Sequence, residues 1–209
     1  MWVVPERGLE RVVLPELVRS LAPAWDVRIL PRLRAGRGQQ FADLDTVALR
    51  HAVAMRRELE RAGEGVGPRL VGIGGAASVA YAVAWALESL SVEVIRLVAV
   101  DGGPGRGVRP AQPLSRFASH VVGQARALGA GVAGRPSYEV AFAGRRLATA
   151  CTVVWPADVG STDGTLGWAG CVDGPLDVVH VVDQAAALRA DPSRLAALLD
   201  AALSLPSAP

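Results

Sequence analysis

Residues 70–90, LVGIGGAASVAYAVAWALESL, read as an apolar strand, a sharp glycine turn and an apolar helix. On such a turn a side chain stands clear of the sheet, which suits a nucleophile. Gly74 occupies that position, so the turn has a nucleophile's setting and no side chain to attack with. Nearby substitutes are poor. Ser78 lies one helical turn farther on and is expected to pack along the helix. Cys151 falls in a strand-like run and Cys171 in a loop, without CxxC or CxxH spacing, so two reduced structural thiols are expected and no metal site or disulfide framework.

The same turn, Gly72-Ile73-Gly74-Gly75-Ala76-Ala77, also matches the GxGxxA pattern of dinucleotide-binding turns. Against a nucleotide, the acidic residue after the next strand is Asp101, farther along than the usual distance of about 20 residues, and such a unit normally opens its domain. Every basic side chain is Arg, because the 209-residue chain contains no Lys. A Walker phosphate loop, a Schiff-base lysine and a lysine general base are thereby excluded. No cofactor is expected.

These residues need a frame to hold them. With 51% apolar residues the chain can bury one sizeable core, and a single domain over 1–209 is expected. The net charge of +2 is spread along the sequence, so the clustered positive charge of a nucleic-acid footprint is missing and no nucleic-acid partner is expected. No charged start with a following apolar signal segment is present, and no apolar run is long enough to span a bilayer. The expectation is a soluble, cytoplasmic protein with no membrane partner, and the start at Met1 suits a discrete protein.

Pattern and punctuation predict the order of elements. The start, MWVVPERG, is a short apolar strand stopped by Pro5 and Gly8, a helix covers 9–21, and a second strand runs from Trp25 to Leu30. A long helix spans 41–62 with Asp43 as N-cap, ended by Gly63, Gly65, Gly67 and Pro68. Strand 69–73, helix 76–90 and strand 93–100 form a βαβ unit whose strands are nearly continuous apolar runs, the signature of a parallel sheet covered on both faces. A helical pattern at 114–129 follows the glycine- and proline-rich stretch after Asp101. Strand 147–155, a polar loop at 157–175, strand 176–182 and a closing helix at 192–204 complete the chain, with Asp191 as N-cap and Pro192 as its first residue. The class is α/β, a mostly parallel central sheet with helices on both faces.

In this order the chain resembles the thioesterase family of polyketide synthases and nonribosomal peptide synthetases, a branch of the α/β-hydrolase fold. WVVPERG at 2–8 is similar to that family's first strand and oxyanion loop, and GPRLVGIGGAASVAYAVAWALE at 67–88 to its nucleophile turn and helix. VEVIRLVAVDGG at 92–103 is similar to the strand ending in the triad acid, and DVVHVVDQAAALRADPSRLAALL at 177–199 to the last strand, triad-histidine loop and terminal helix. Residues 104–146 match poorly, as the family's variable helical lid would.

The resemblance implies that Gly72, Gly74 and Ala76 stand where the family has Gly-x-Ser-x-Gly, that Asp101 is the acid, and that Gln184 stands where His is expected. It implies oxyanion donors at the N–H of Gly75 and at Glu6 or Arg7. His120 in the lid is the candidate base, Asp158 is the acid position of other α/β-hydrolases, and His51 and His180 read as structural. Trp155, Trp168 and Tyr81 are candidates for lining an apolar acyl pocket, but aromatics near strand ends are more often core or rim, and none is assigned as a binding residue. A serine triad needs imidazole to take and return the hydroxyl proton, and Gln184 cannot do so. The expected activity is therefore noncovalent cyclisation, elimination or isomerisation of a polyketide or peptide intermediate, possible also while it is carried on an acyl carrier protein. An inactive pseudo-thioesterase that binds a carrier or synthase partner is the alternative.

Overall fold

The computed structural model describes residues 1–5, 13–30, 44–63, 65–102, 146–156, 165 and 167–205. In chain order these form β1 (Trp2–Val4), α1 (Val13–Leu21), β2 (Arg28–Ile29), α2 (Leu44–Ala62), β3 (Arg69–Ile73) and α3 (Ala77–Ser89). There follow β4 (Arg96–Val100), β5 (Ala150–Pro156), β6 (Leu176–Val181), α4 (Ala185–Ala190) and α5 (Pro192–Ser204). The six strands make one sheet of order β2-β1-β3-β4-β5-β6, and every pairing is parallel. The central strands β3, β4 and β5 are buried almost throughout, which is why they read as unbroken apolar runs.

Alternation along the strands builds two cores. Leu70, Leu97, Cys151 and Val153 pack with α2 and α3 on one face. Val71, Ile73, Val98, Val100 and Val154 pack with α1 and α5 on the other. Helix α3, mostly Ala, Val and Leu with Tyr81 and Trp85, is buried on most sides because α2 covers it from outside. Helix α5 starts as expected: the Asp191 carboxylate accepts from the N–H groups of Ser193 and Arg194 at 3.1 and 3.0 Å, with Pro192 at the first position.

Three strands differ in length from the sequence expectation. β4 begins at Arg96 and not at 93, because Ile95 N–H donates to the carbonyl of Pro68 and Pro68 has no N–H with which to continue the ladder. β5 begins at Ala150; Leu147 makes an isolated bridge with Val172 instead. The strand expected at 25–30 shrinks to Arg28–Ile29, which is all that the three-residue β1 can pair. The Asp43 cap, the first residues of the helix expected at 9–21 and the helix expected at 114–129 lie outside the described residues.

Arg96 is a charged residue inside this apolar sheet, 1% exposed. Its guanidinium donates to Thr152 Oγ1 at 2.6 Å and to Asp177 Oδ2 at 2.9 Å, so one buried cation ties β4 to β5 and to β6. Glu88, near the end of α3, accepts from the N–H and hydroxyl of Thr149 and holds the entry to β5.

Candidate functional site

In an open parallel sheet, ligands bind beyond the carboxyl ends of the strands, at the point where strand order reverses. Here the reversal lies between β1 and β3, and the Gly74 turn follows β3 there. Ile73 pairs with Val100, Val100 with Val154, and Trp155 with His180. Gly74, Asp101, Trp155 and His180 therefore stand at one level across four neighbouring strands. At about 4.8 Å per strand, Asp101 sits beside Gly74, whereas His180 is three strands, about 14 Å, away.

Close packing fixes the turn. A Cβ on Gly72 would lie 2.5 Å from Ala77 Cα and 2.8 Å from Ala80 Cβ, so only glycine lets α3 start this close to β3. Gly74 has φ 59°, the left-handed region where other residues are strained, and leads through a single 3₁₀ turn, Gly74–Ala76, into the helix. Asp101 also has a left-handed backbone, φ 52°, and is 4% exposed; its N–H donates to the Val154 carbonyl at 3.1 Å. A buried carboxylic acid with strained backbone at a strand end is a candidate functional group. Directly after it, Gly102 presses on the turn: a Cβ there would stand 2.2 Å from the Gly74 carbonyl oxygen and 2.6 Å from Ala77 Cβ.

A second layer backs this contact. Trp168, fully buried, donates its indole N–H to the Gly102 carbonyl at 2.8 Å and meets Tyr81 of α3 edge to face at 5.7 Å. The Tyr81 hydroxyl donates to the Cys171 carbonyl at 2.9 Å. These aromatics brace the site from beneath and belong to the core, not to an acyl pocket. Sequence reasoning missed Gly102 and this use of Trp168; the available signals were a Gly-Gly pair after Asp101 and a tryptophan between two glycines in a polar loop.

Several solved structures with this architecture are described as thioesterase domains. The NocB thioesterase domain, in covalent complex with a fluorophosphonate nocardicin G analog, superposes with a TM-score of 0.61 at 23% identity, over 97% of this chain and 93% of that one. The Vlm2 thioesterase domain gives 0.65 at 17%, over 98% and 93%. The chain has the thioesterase-domain fold. The thioesterase domain SrfTE, solved for the cyclisation of the lipopeptide antibiotic surfactin, gives 0.56 at 14%, over 98% and 91%. No protein-family model and no curated protein sequence matches the chain.

Within the thioesterase fold, the turn after β3 and the end of β4 bring together Gly74, Gly75 and Asp101, with Gly75 exposed. At Gly72 the GxGxxA match marks close strand–helix packing, because a Cβ there would run into Ala77 and Ala80. Gln184 is exposed, ahead of α4; its carbonyl accepts from Leu188 N–H and its side chain makes no capping bond. It follows β6, so it shares the carboxyl edge with Asp101. Glu6, Arg7, His120 and Asp158 lie outside the described residues, as does the expected lid 104–146 apart from Arg146.

The substitute nucleophiles and bases are held elsewhere or held inert. Ser78 is buried in the first turn of α3. Burial pushes the Cys151 thiol far above its usual range and raises the pKa of the half-buried Cys171, only partly offset by Arg96 and Arg146 respectively. His51 is buried on α2, and burial lowers its pKa. His180 is exposed and stacks on Trp155 at 5.1 Å. An open groove of about 550 Å³, lined by Glu88, Val94, Thr149 and Pro175 among others, lies at the amino ends of β4, β5 and β6, opposite to this edge. Among the described residues, no group of three or more His, Cys, Asp or Glu side chains is placed to hold a metal ion, and no helix is long and apolar enough to cross a membrane.

Proposed function

We propose that this chain is a thioesterase-fold protein of polyketide or nonribosomal-peptide assembly that acts on its chain without covalent capture. One observation carries the reading: the strand–turn–helix junction is built to the tolerances of a nucleophile turn, yet its left-handed residue is Gly74. An acyl-enzyme needs a nucleophilic atom there and none exists. Beside the vacancy stands the buried carboxyl group of Asp101.

The reaction class follows from that pair. A hydroxyl or amine of the bound chain attacks its own thioester carbonyl; Asp101 takes the proton as the bond forms, and the sulfur leaves as a thiol when a proton is returned to it. Backbone N–H groups at Gly75 and at Glu6 or Arg7 stabilise the oxyanion, while Gln184 orients the chain and His120 serves as a second base. Binding and an oxyanion hole alone retain roughly 10³–10⁴-fold over water in triad-deleted enzymes, so slow hydrolysis is compatible with this reading. The cyclisation ascribed to the surfactin domain supports the substrate class.

The test is conversion of linear peptidyl and polyketidyl pantetheine thioesters bearing an internal nucleophile. Native protein should release thiol and cyclised product, and Asp101→Asn should lower the rate by about 10²-fold or more. Tight binding of an acyl carrier protein with no conversion of any substrate would instead establish a pseudo-thioesterase.

A further inference from the structure

We infer that Trp168 is a positioning residue for Asp101, an inference that rests on the proposed role of that carboxyl group. Asp101 keeps a left-handed backbone, which a non-glycine residue holds only where its surroundings over-determine it. Three contacts do so here. The Asp101 N–H is bound to the Val154 carbonyl on β5, and Gly102 is pressed so close to the Gly74 carbonyl that a Cβ would not fit. The third contact, from the indole N–H of Trp168 to the buried Gly102 carbonyl, fixes the far side of Gly102, the residue directly after Asp101, from the loop after β5.

Trp168 is itself immobilised by elements of the site. It packs edge to face on Tyr81, which belongs to the helix that begins at the Gly74 turn, and the Tyr81 hydroxyl binds Cys171, three residues beyond Trp168. The left-handed Gly167, φ 83°, turns the chain so that Trp168, first residue of the single 3₁₀ turn Trp168–Gly170, is buried while Ala169 and Gly170 stay exposed. The turn after β3, the turn after β4 and the loop before β6 thus form one closed circuit, and Trp168 joins it at Gly102, the residue after Asp101.

Amide hydrogen exchange on the full native chain tests this without any substrate. Replacing Trp168 by 3-benzothienylalanine keeps the ring shape and removes the N–H; Trp168→Phe is the simpler companion. Exchange at the Asp101 amide should accelerate about 10-fold or more in both, while Leu70 and Val98 inside β3 and β4 exchange at native rates. Unchanged protection at Asp101, or a loss equal to that of Leu70 and Val98, would overturn the inference. If Trp168→Phe fails to fold, the benzothienyl variant decides. Loss of the noncovalent reading would appear separately, as an absence of Asp101-dependent turnover with the Asp101 amide still responsive to position 168.

Discussion

Gly74 and Asp101 leave neighbouring strands at the same level with the same left-handed backbone, at φ 59° and 52°. The first has no side chain and the second carries a buried carboxyl group. Where a covalent enzyme would carry a strained nucleophile on this turn, this chain relaxes that position with glycine and keeps the strain at Asp101.

Reinstating a side chain at position 74 should therefore cost stability. Gly74→Ser forces a residue with a Cβ into the left-handed region, worth about 1–2 kcal/mol. Urea denaturation should show that loss, and an unchanged midpoint would mean that the turn relaxes without strain.

Gly102→Ala should be more damaging, because its Cβ would meet a backbone carbonyl oxygen at 2.2 Å and backbone cannot swing aside. A loss of about 1–3 kcal/mol is expected, as for other overpacked sites. Stability equal to native would show that Gly102 does not brace the Gly74 turn.

The Arg96 network predicts an order of stabilities. Asp177→Ala leaves a buried guanidinium with Thr152 but without its carboxylate, whereas Arg96→Met with Asp177→Leu removes the charge as well. The double variant should be more stable than Asp177→Ala. Asp177 is half exposed, so the single loss should be modest, about 1–2 kcal/mol.

Two pH effects follow from burial. The folded state lowers the pKa of His51, so below 6.5 the unfolded chain binds the proton that the folded chain refuses, and stability falls as pH drops. The folded state raises the pKa of Cys151 and Cys171 above 9.0, so the unfolded chain loses protons first and stability also falls as pH rises through 9. Denaturation curves of His51→Leu should lose part of the acid slope, and a Cys151→Ala/Cys171→Ser variant part of the alkaline slope. Slopes identical to native would contradict the assignment.

The parts of this fold that are local in cause were legible in the sequence. β3 falls at 69–73 because Pro68 and the glycine turn bracket an apolar run, and α5 falls at 192–204 because Asp191 and Pro192 fix its start. What escaped is non-local. Arg96 reads as a poor core residue until Thr152 and Asp177, 56 and 81 positions away, supply its partners. The backbone of Asp101 depends on Gly74, Val154 and Trp168, none of them neighbours in sequence. Gly74 and Asp101 could be named from the chain, but their side-by-side placement required the register of the sheet.

The most direct measurement of the central claim is intact-protein mass after incubation with acyl-pantetheine thioesters or a fluorophosphonate, for native protein and for Gly74→Ser/Gln184→His. The account predicts no adduct on the native chain and an acyl or phosphonyl mass on Ser at position 74 of the variant. A stoichiometric adduct on the native chain would contradict it, since a nucleophile other than the missing one would then be at work.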